Sequence, residues 1–173
     1  PGRKTARQPI ESTMLLPRNH DELPWARLTH FYGRATEIPT LLDALRTDAS
    51  DTTAARLAHV LEHQDGVTQA TPFAVYYLCG ALRNGLVSNT TALMHTLGVI
   101  HRAAQFMQSS PARPEVTLSL VDLIAESRLW PAYVSDEDDE VLWEEWAPDS
   151  AEYYGWAVET CRLIAASGLL VAA

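Results

Sequence analysis

The sequence predicts an all-α fold, a HEAT-like solenoid of helical hairpins, with an irregular helical bundle as the alternative. Three observations carry this expectation. Apolar residues return every three or four positions through most of the chain, no stretch sustains the alternation of a half-buried strand, and about eight periodic segments are joined by connections of a few residues. Short connections make successive helices antiparallel neighbours, and pairs that stack on the next pair favour a solenoid over a four-helix bundle. With 173 residues, 47% of them hydrophobic, the chain suffices for one domain with a substantial core.

Residues 1–20 contain Pro9 and Pro17 and no sustained periodicity, so a flexible arm is expected there, with a single helical domain over 21–173. Trp25, Leu28, Phe31 and Tyr32 fall at helical spacing and predict a short helix ending at Gly33, where glycine tolerates a left-handed backbone. Ile38, Leu41, Leu42 and Leu45 form one face of the next helix, with Thr36 as a cap and Pro39 in its first turn. Ser50 caps a third, where Ala54, Leu57, Ala58 and Leu61 recur until Gly66.

Pro72 opens a helix that is apolar nearly all round, through Phe73, Val75, Tyr76, Leu78, Cys79 and Leu82, which predicts a central position. Leu93, Leu97, Ile100, Ala104 and Met107 make the stripe of the following helix, which ends before Pro111. Val116, Leu120, Leu123 and Ile124 predict a helix over 115–130, closed by Pro131. Ser135 caps the acidic segment 135–146, and Asp149 or Ser150 caps a last helix whose stripe is Tyr154, Ala157, Val158, Cys161 and Ile164. Residues 37–63 and 70–108 read as helix pairs of comparable build, as in two or three degenerate repeats, although no exact repeat is visible.

Charge is unevenly spread. Residues 1–20 sum to +3, residues 21–130 to −3, and residues 131–173 to −9, where ten acids face Arg162 alone. An acidic end repels phosphate backbones and steers basic partners, so nucleic acid is disfavoured as a ligand and a protein with a basic surface is favoured. Cys79 and Cys161 lie within apolar helical patterns and read as buried free thiols of a reducing compartment. No apolar signal region and no membrane-spanning run is present, so a cytoplasmic location and no membrane partner are expected.

The stretch "WARLTHFYGRATEIPTLLDAL" followed by "EHQDGVTQATPFAVYYL" resembles a group of bacterial HEAT-repeat-like proteins, over about residues 23–84. The matching positions are Trp25, Leu28, His30, Tyr32 and Gly33, then His63, Gln64, Gly66, Ala70 and Pro72, with Asp65 inserted between the glutamine and the glycine. The resemblance implies an α-solenoid interaction scaffold of the kind found as immunity proteins beside secreted toxins.

Catalytic patterns are sparse. "HVLEH", His59 to His63, has the inverted zinc-protease spacing, in which two imidazoles one turn apart share a metal and Glu62 acts as base. No third ligand is evident downstream, and Leu57, Val60 and Leu61 imply a packed helix, so an exposed His59 and a turn-capping His63 are expected instead. His95 and His101 fall on different faces of one helix, both cysteines sit on apolar stripes, and no Gly-x-Ser-x-Gly, phosphate loop or dinucleotide fingerprint occurs. The expectation is a non-enzyme without metal or cofactor.

The densest feature is "SDEDDEVLWEEW", with seven carboxylates and two tryptophans between Ser135 and Trp146. Calcium loops alternate their acids around a glycine, which this run lacks. A few acids in the first turn complement the helix dipole, but seven exceed that need. Two uses remain: a solvated face over core tryptophans, or a partner-binding surface of Asp136, Glu137, Asp138, Asp139, Glu140 and Glu144 around aromatic anchors Trp143 and Trp146. Exposed tryptophans would equally serve a homodimer.

Overall fold

The structure, a computed structural model, describes residues 16–47, 50–132 and 135–170. Most of the expected arm, residues 1–15, lies outside them. Its end does not: Leu16 and His20 are buried, and the Tyr77 hydroxyl donates to the Pro17 carbonyl at 2.8 Å, so the packed body begins by Leu16.

The all-α class holds, with seven α-helices and only two-residue strands among the described residues. After a 3-10 turn at Trp25–Arg27, the chain forms a hairpin of β1 (Thr29–His30) and β2 (Gly33–Arg34), then α1 (Ile38–Thr47) and α2 (Asp51–Leu61). The pattern then recurs as β3 (Glu62–His63) and β4 (Gly66–Val67), α3 (Thr71–Arg83) and α4 (Thr90–Gln108). The two hairpins have the same register 33 residues apart: Thr29 pairs with Arg34 and His30 with Gly33, then Glu62 with Val67 and His63 with Gly66. The short segments α5 (Leu120–Leu123) and a 3-10 turn at Glu126–Arg128 lead to α6 (Asp136–Glu145) and α7 (Ser150–Ser167).

The first hairpin replaces the helix expected over 25–33. Helical spacing was present, but tertiary partners claim the backbone: the Thr29 amide donates to the Gln69 side chain at 3.0 Å, and the Thr29 carbonyl accepts from the Ala70 amide at 3.0 Å. Gly33 keeps its positive φ of 126° in the hairpin instead of ending a helix. In the second hairpin Gln64 and Asp65 take φ of 51° and 59°, the left-handed pair that matches the twist of a two-residue turn.

The capped helices form where local chemistry sets their starts. Ser50 accepts from the Thr53 amide at 3.2 Å, Asn89 from Ala92 at 3.0 Å, and Asp149 from Glu152 at 2.7 Å. Gly168 closes α7 with φ 67°. α1 and α2 pack on α3 and α4, and α7 lies across both α3 and α4. Phe73, Val75, Leu78, Leu93, Leu97 and Ile100 are fully or almost fully buried at that junction, as the all-round apolar character of α3 requires.

Two expectations fail in the C-terminal half. The helix expected over 115–130 shrinks to four residues, because Ser119 and Asp122 form a capping box that starts it late. Its far end turns away to bond across the fold, the Trp130 amide to the Arg27 carbonyl at 2.9 Å and Arg27 Nε to the Trp130 carbonyl at 2.7 Å. In α7, Ala157 and Ile164 are buried as expected, but so are Glu152, Gly155, Trp156, Glu159 and Thr160, so the helix is rotated from its apolar stripe. Gly155 permits this: a Cβ there would meet Leu123 at 3.2 Å.

Candidate partner-binding surface

α6 is helical for local reasons and seated for distant ones. Ser135 accepts from the Asp138 amide at 3.1 Å, and first-turn acids complement the positive end of the dipole. Its inward face rests on Trp130, which is 2% exposed. The Trp143 and Trp146 rings lie 5.8 and 6.1 Å from the Trp130 ring, and Trp146 stacks nearly parallel on Trp156 at 6.0 Å. Each such pair adds about 0.5–1.5 kcal/mol beyond its buried area.

A second anchor is Asp139. Its Oδ1 accepts from Trp130 Nε1 at 2.6 Å, from Arg34 Nε at 3.1 Å and from Arg34 Nη2. The Arg34 guanidinium, with the Trp130 indole, holds the Asp139 carboxyl below the usual aspartate range. Hairpin, Trp130 and α6 are thereby tied at one atom.

The C-terminal acids are less isolated than their sequence neighbourhood suggests, because the fold brings in Arg34 and Arg128 and α7 supplies Arg162. Arg128 approaches Asp149 at 3.4 Å and buried Glu152 at 3.2 Å, and Arg162 pairs with buried Glu159 at 2.6 Å. Burial raises the Glu152 carboxyl, against the pull of Arg128. Outside that segment Arg27 grips Glu126 through two hydrogen bonds of 3.0 and 2.6 Å.

Glu137, Asp138, Glu140, Glu144 and Glu145 differ: all are exposed, and none has a cationic partner among the described residues. Asp138 accepts only the Ser135 hydroxyl, at 2.7 Å. Val141 and Trp143, 51% and 37% exposed, lie among them. Of the expected site residues, Asp139 and Trp146 therefore turn inward as anchors, Trp143 does both, and the side chain of Asp136 lies outside the described residues. Arg34, Trp130 and Trp156, which seat the surface, were absent from the sequence expectation. The spacing of Asp139, Trp143 and Trp146 at helical intervals was the available sign of an inward face.

The zinc-protease spacing does not become a zinc-protease helix. α2 stops at Leu61, so Glu62 and His63 belong to β3. Exposed His59 instead stacks on Tyr32 at 4.6 Å, and Tyr32 also meets His63 edge-on at 6.0 Å. These two histidines and His95 line a cleft of about 650 Å³ between α2 and α4. Among the described residues, the one trio of ligand-type side chains within reach of a shared ion is His20, Asp21 and Asp43. There the carboxylates face opposite ring nitrogens, Asp21 at Nδ1 (3.1 Å) and Asp43 at Nε2 (3.0 Å), which clamps an imidazole and does not converge on one ion. Burial raises both cysteine thiols, Cys161 to about 11, so neither is a ready nucleophile.

No helix among the described residues is long and apolar enough to cross a membrane. The chain matches no protein-family model, no curated protein and no solved structure.

Proposed function

We propose that this chain is a non-catalytic binding protein whose α6 receives a basic surface on a protein partner. The observation that carries the proposal is the contrast on α6 itself: five exposed carboxylates without a cation face outward, while Asp139, Trp143 and Trp146 lock the inward face. A charged face that is already seated costs little ordering on binding, and charge complementarity accelerates encounter. Trp143 offers an aromatic anchor within the anionic rim.

In its specific form, the partner is a toxin domain with a basic substrate cleft that α6 occludes, and the chain is its immunity protein. The resemblance over residues 23–84 supports this form, and the two hairpin–helix–helix units are read as consecutive repeats of a short HEAT-like solenoid that α7 closes. Self-association through α6 is disfavoured, because it would oppose two like-charged faces.

The test is calorimetric titration with a basic toxin domain, at low and high salt. Binding should weaken steeply with salt, and E137Q/E140Q/E144Q/E145Q should lose at least tenfold in affinity. Unchanged affinity in that variant would remove α6 from the interface and favour the cleft between α2 and α4 as a peptide-binding scaffold, the second reading.

A further inference from the structure

We propose that a second cleft, along α3, binds one anionic amphiphile: a small molecule with a carboxylate, sulfonate or phosphate head and an apolar tail. This site is separate from α6 and does not depend on the function proposed there. The cleft measures about 840 Å³ and runs between α1, the segment Leu16–His20 and the end of α7. Small-molecule sites typically occupy about 300–1,000 Å³ and are apolar with a few convergent polar groups.

Charge decides the ligand class. Four arginines, Arg18, Arg46, Arg83 and Arg162, line the cleft with the carboxylate of Asp122, in a protein of net charge −9. The carboxylates of Asp21 and Asp43 are taken up by the ring of the lining residue His20. Arg162 is paired with Glu159, and Arg27, Arg34, Arg56 and Arg128 elsewhere are also ion-paired. Arg18, Arg46 and Arg83 have no carboxylate partner among the described residues, a state they share with Arg102 and Arg113 outside the cleft, so the three are distinguished by lining one cavity together. The Asp122 carboxylate is engaged by the amide and hydroxyl of Ser119, at 2.8 and 2.7 Å.

A plainer account covers part of this. Arg46 and Arg83 sit in the last turns of α1 and α3, where a cation complements the helix dipole. The dipole does not explain Arg18, which borders the same apolar wall of Leu42, Tyr76, Tyr77, Val87 and Leu163. The wall is held in place: Tyr77 bonds the Pro17 carbonyl, and the Trp25 indole donates to the His20 carbonyl at 2.7 Å. Guanidinium forks suit planar oxyanions, and the apolar wall suits a tail.

The probe is 1-anilinonaphthalene-8-sulfonate, whose fluorescence rises in apolar sites, titrated into the full chain and displaced by decanoate or decanol. One probe per chain is expected, with decanoate displacing it at least tenfold more effectively than decanol. R46Q/R83Q should weaken binding at least tenfold while circular dichroism and melting stay native. Should that pair not fold, exposed Arg83→Gln alone should weaken binding severalfold. Equal displacement by decanoate and decanol, or unchanged binding by the folded arginine variant, would overturn the proposal.

Discussion

α3 and α6 are helices of similar length, 13 and 10 residues, held by opposite means. α3 buries seven of its residues, Thr71 to Val75 with Leu78 and Cys79, so apolar desolvation holds its first half, while its last turns border the cleft. α6 touches the body through Trp143, Trp146 and Asp139 and shows its remaining face to solvent. The difference is one of tolerance: the buried positions of the first helix cannot be altered without loss of core packing, whereas the outer face of the second can be exchanged at little cost.

The strongest break of this comparison is Phe73→Ala. Phe73 is fully buried, so a cavity in α3 should cost about 3–5 kcal/mol in urea unfolding. A loss below about 1 kcal/mol would mean that α3 is not central. Trp146→Ala comes next, at about 2 kcal/mol for a half-buried ring stacked on Trp156 and tilted against Trp130. Its signature is local: hydrogen exchange should accelerate in α6 and leave α3 and α4 protected. Uniform acceleration would show instead that α6 belongs to the core.

Acid sharpens the comparison further. The folded Asp139 carboxyl titrates below its ordinary value of 3.8, so its contribution is fully present above that value and is lost as pH falls through the folded one. Asp139→Asn should therefore lower the urea midpoint at pH 7 and lessen the fall in stability below about pH 4, whereas the same change at exposed Glu144 should do neither. Parallel pH profiles for wild type and Asp139→Asn would sink the anchor role. Smallest is E144Q/E145Q, expected within about 0.5 kcal/mol of wild type in stability. A larger loss would reveal that these acids hold the fold.

The helices that start on their own caps, α2 at Ser50, α6 at Ser135 and α7 at Asp149, were readable because a cap and its amide lie within three residues. The hairpins were not, although a trace was present: Leu28, His30, Gly33 and Pro39 recur at the same spacing as Leu61, His63, Gly66 and Pro72. Helical spacing at Trp25–Tyr32 masked the first hairpin, whose backbone partners, Gln69 and Ala70, lie some forty residues away. The acidic surface was readable as a region and unreadable residue by residue. Asp139 and Asp138 are adjacent and chemically identical, yet only Asp139 meets Arg34, 105 residues distant.

Sequence by itself determined the helical class, the capped starts and the sign of each region's charge, all of which arise from side chains within a turn or two of one another. Tertiary structure alone decided which carboxylates stay unpaired, which tryptophan faces turn inward and where helical spacing yields to a hairpin. Those outcomes depend on arginines, indoles and amides brought from distant positions, and interaction strength follows distance in space, which the order of residues along a chain does not encode.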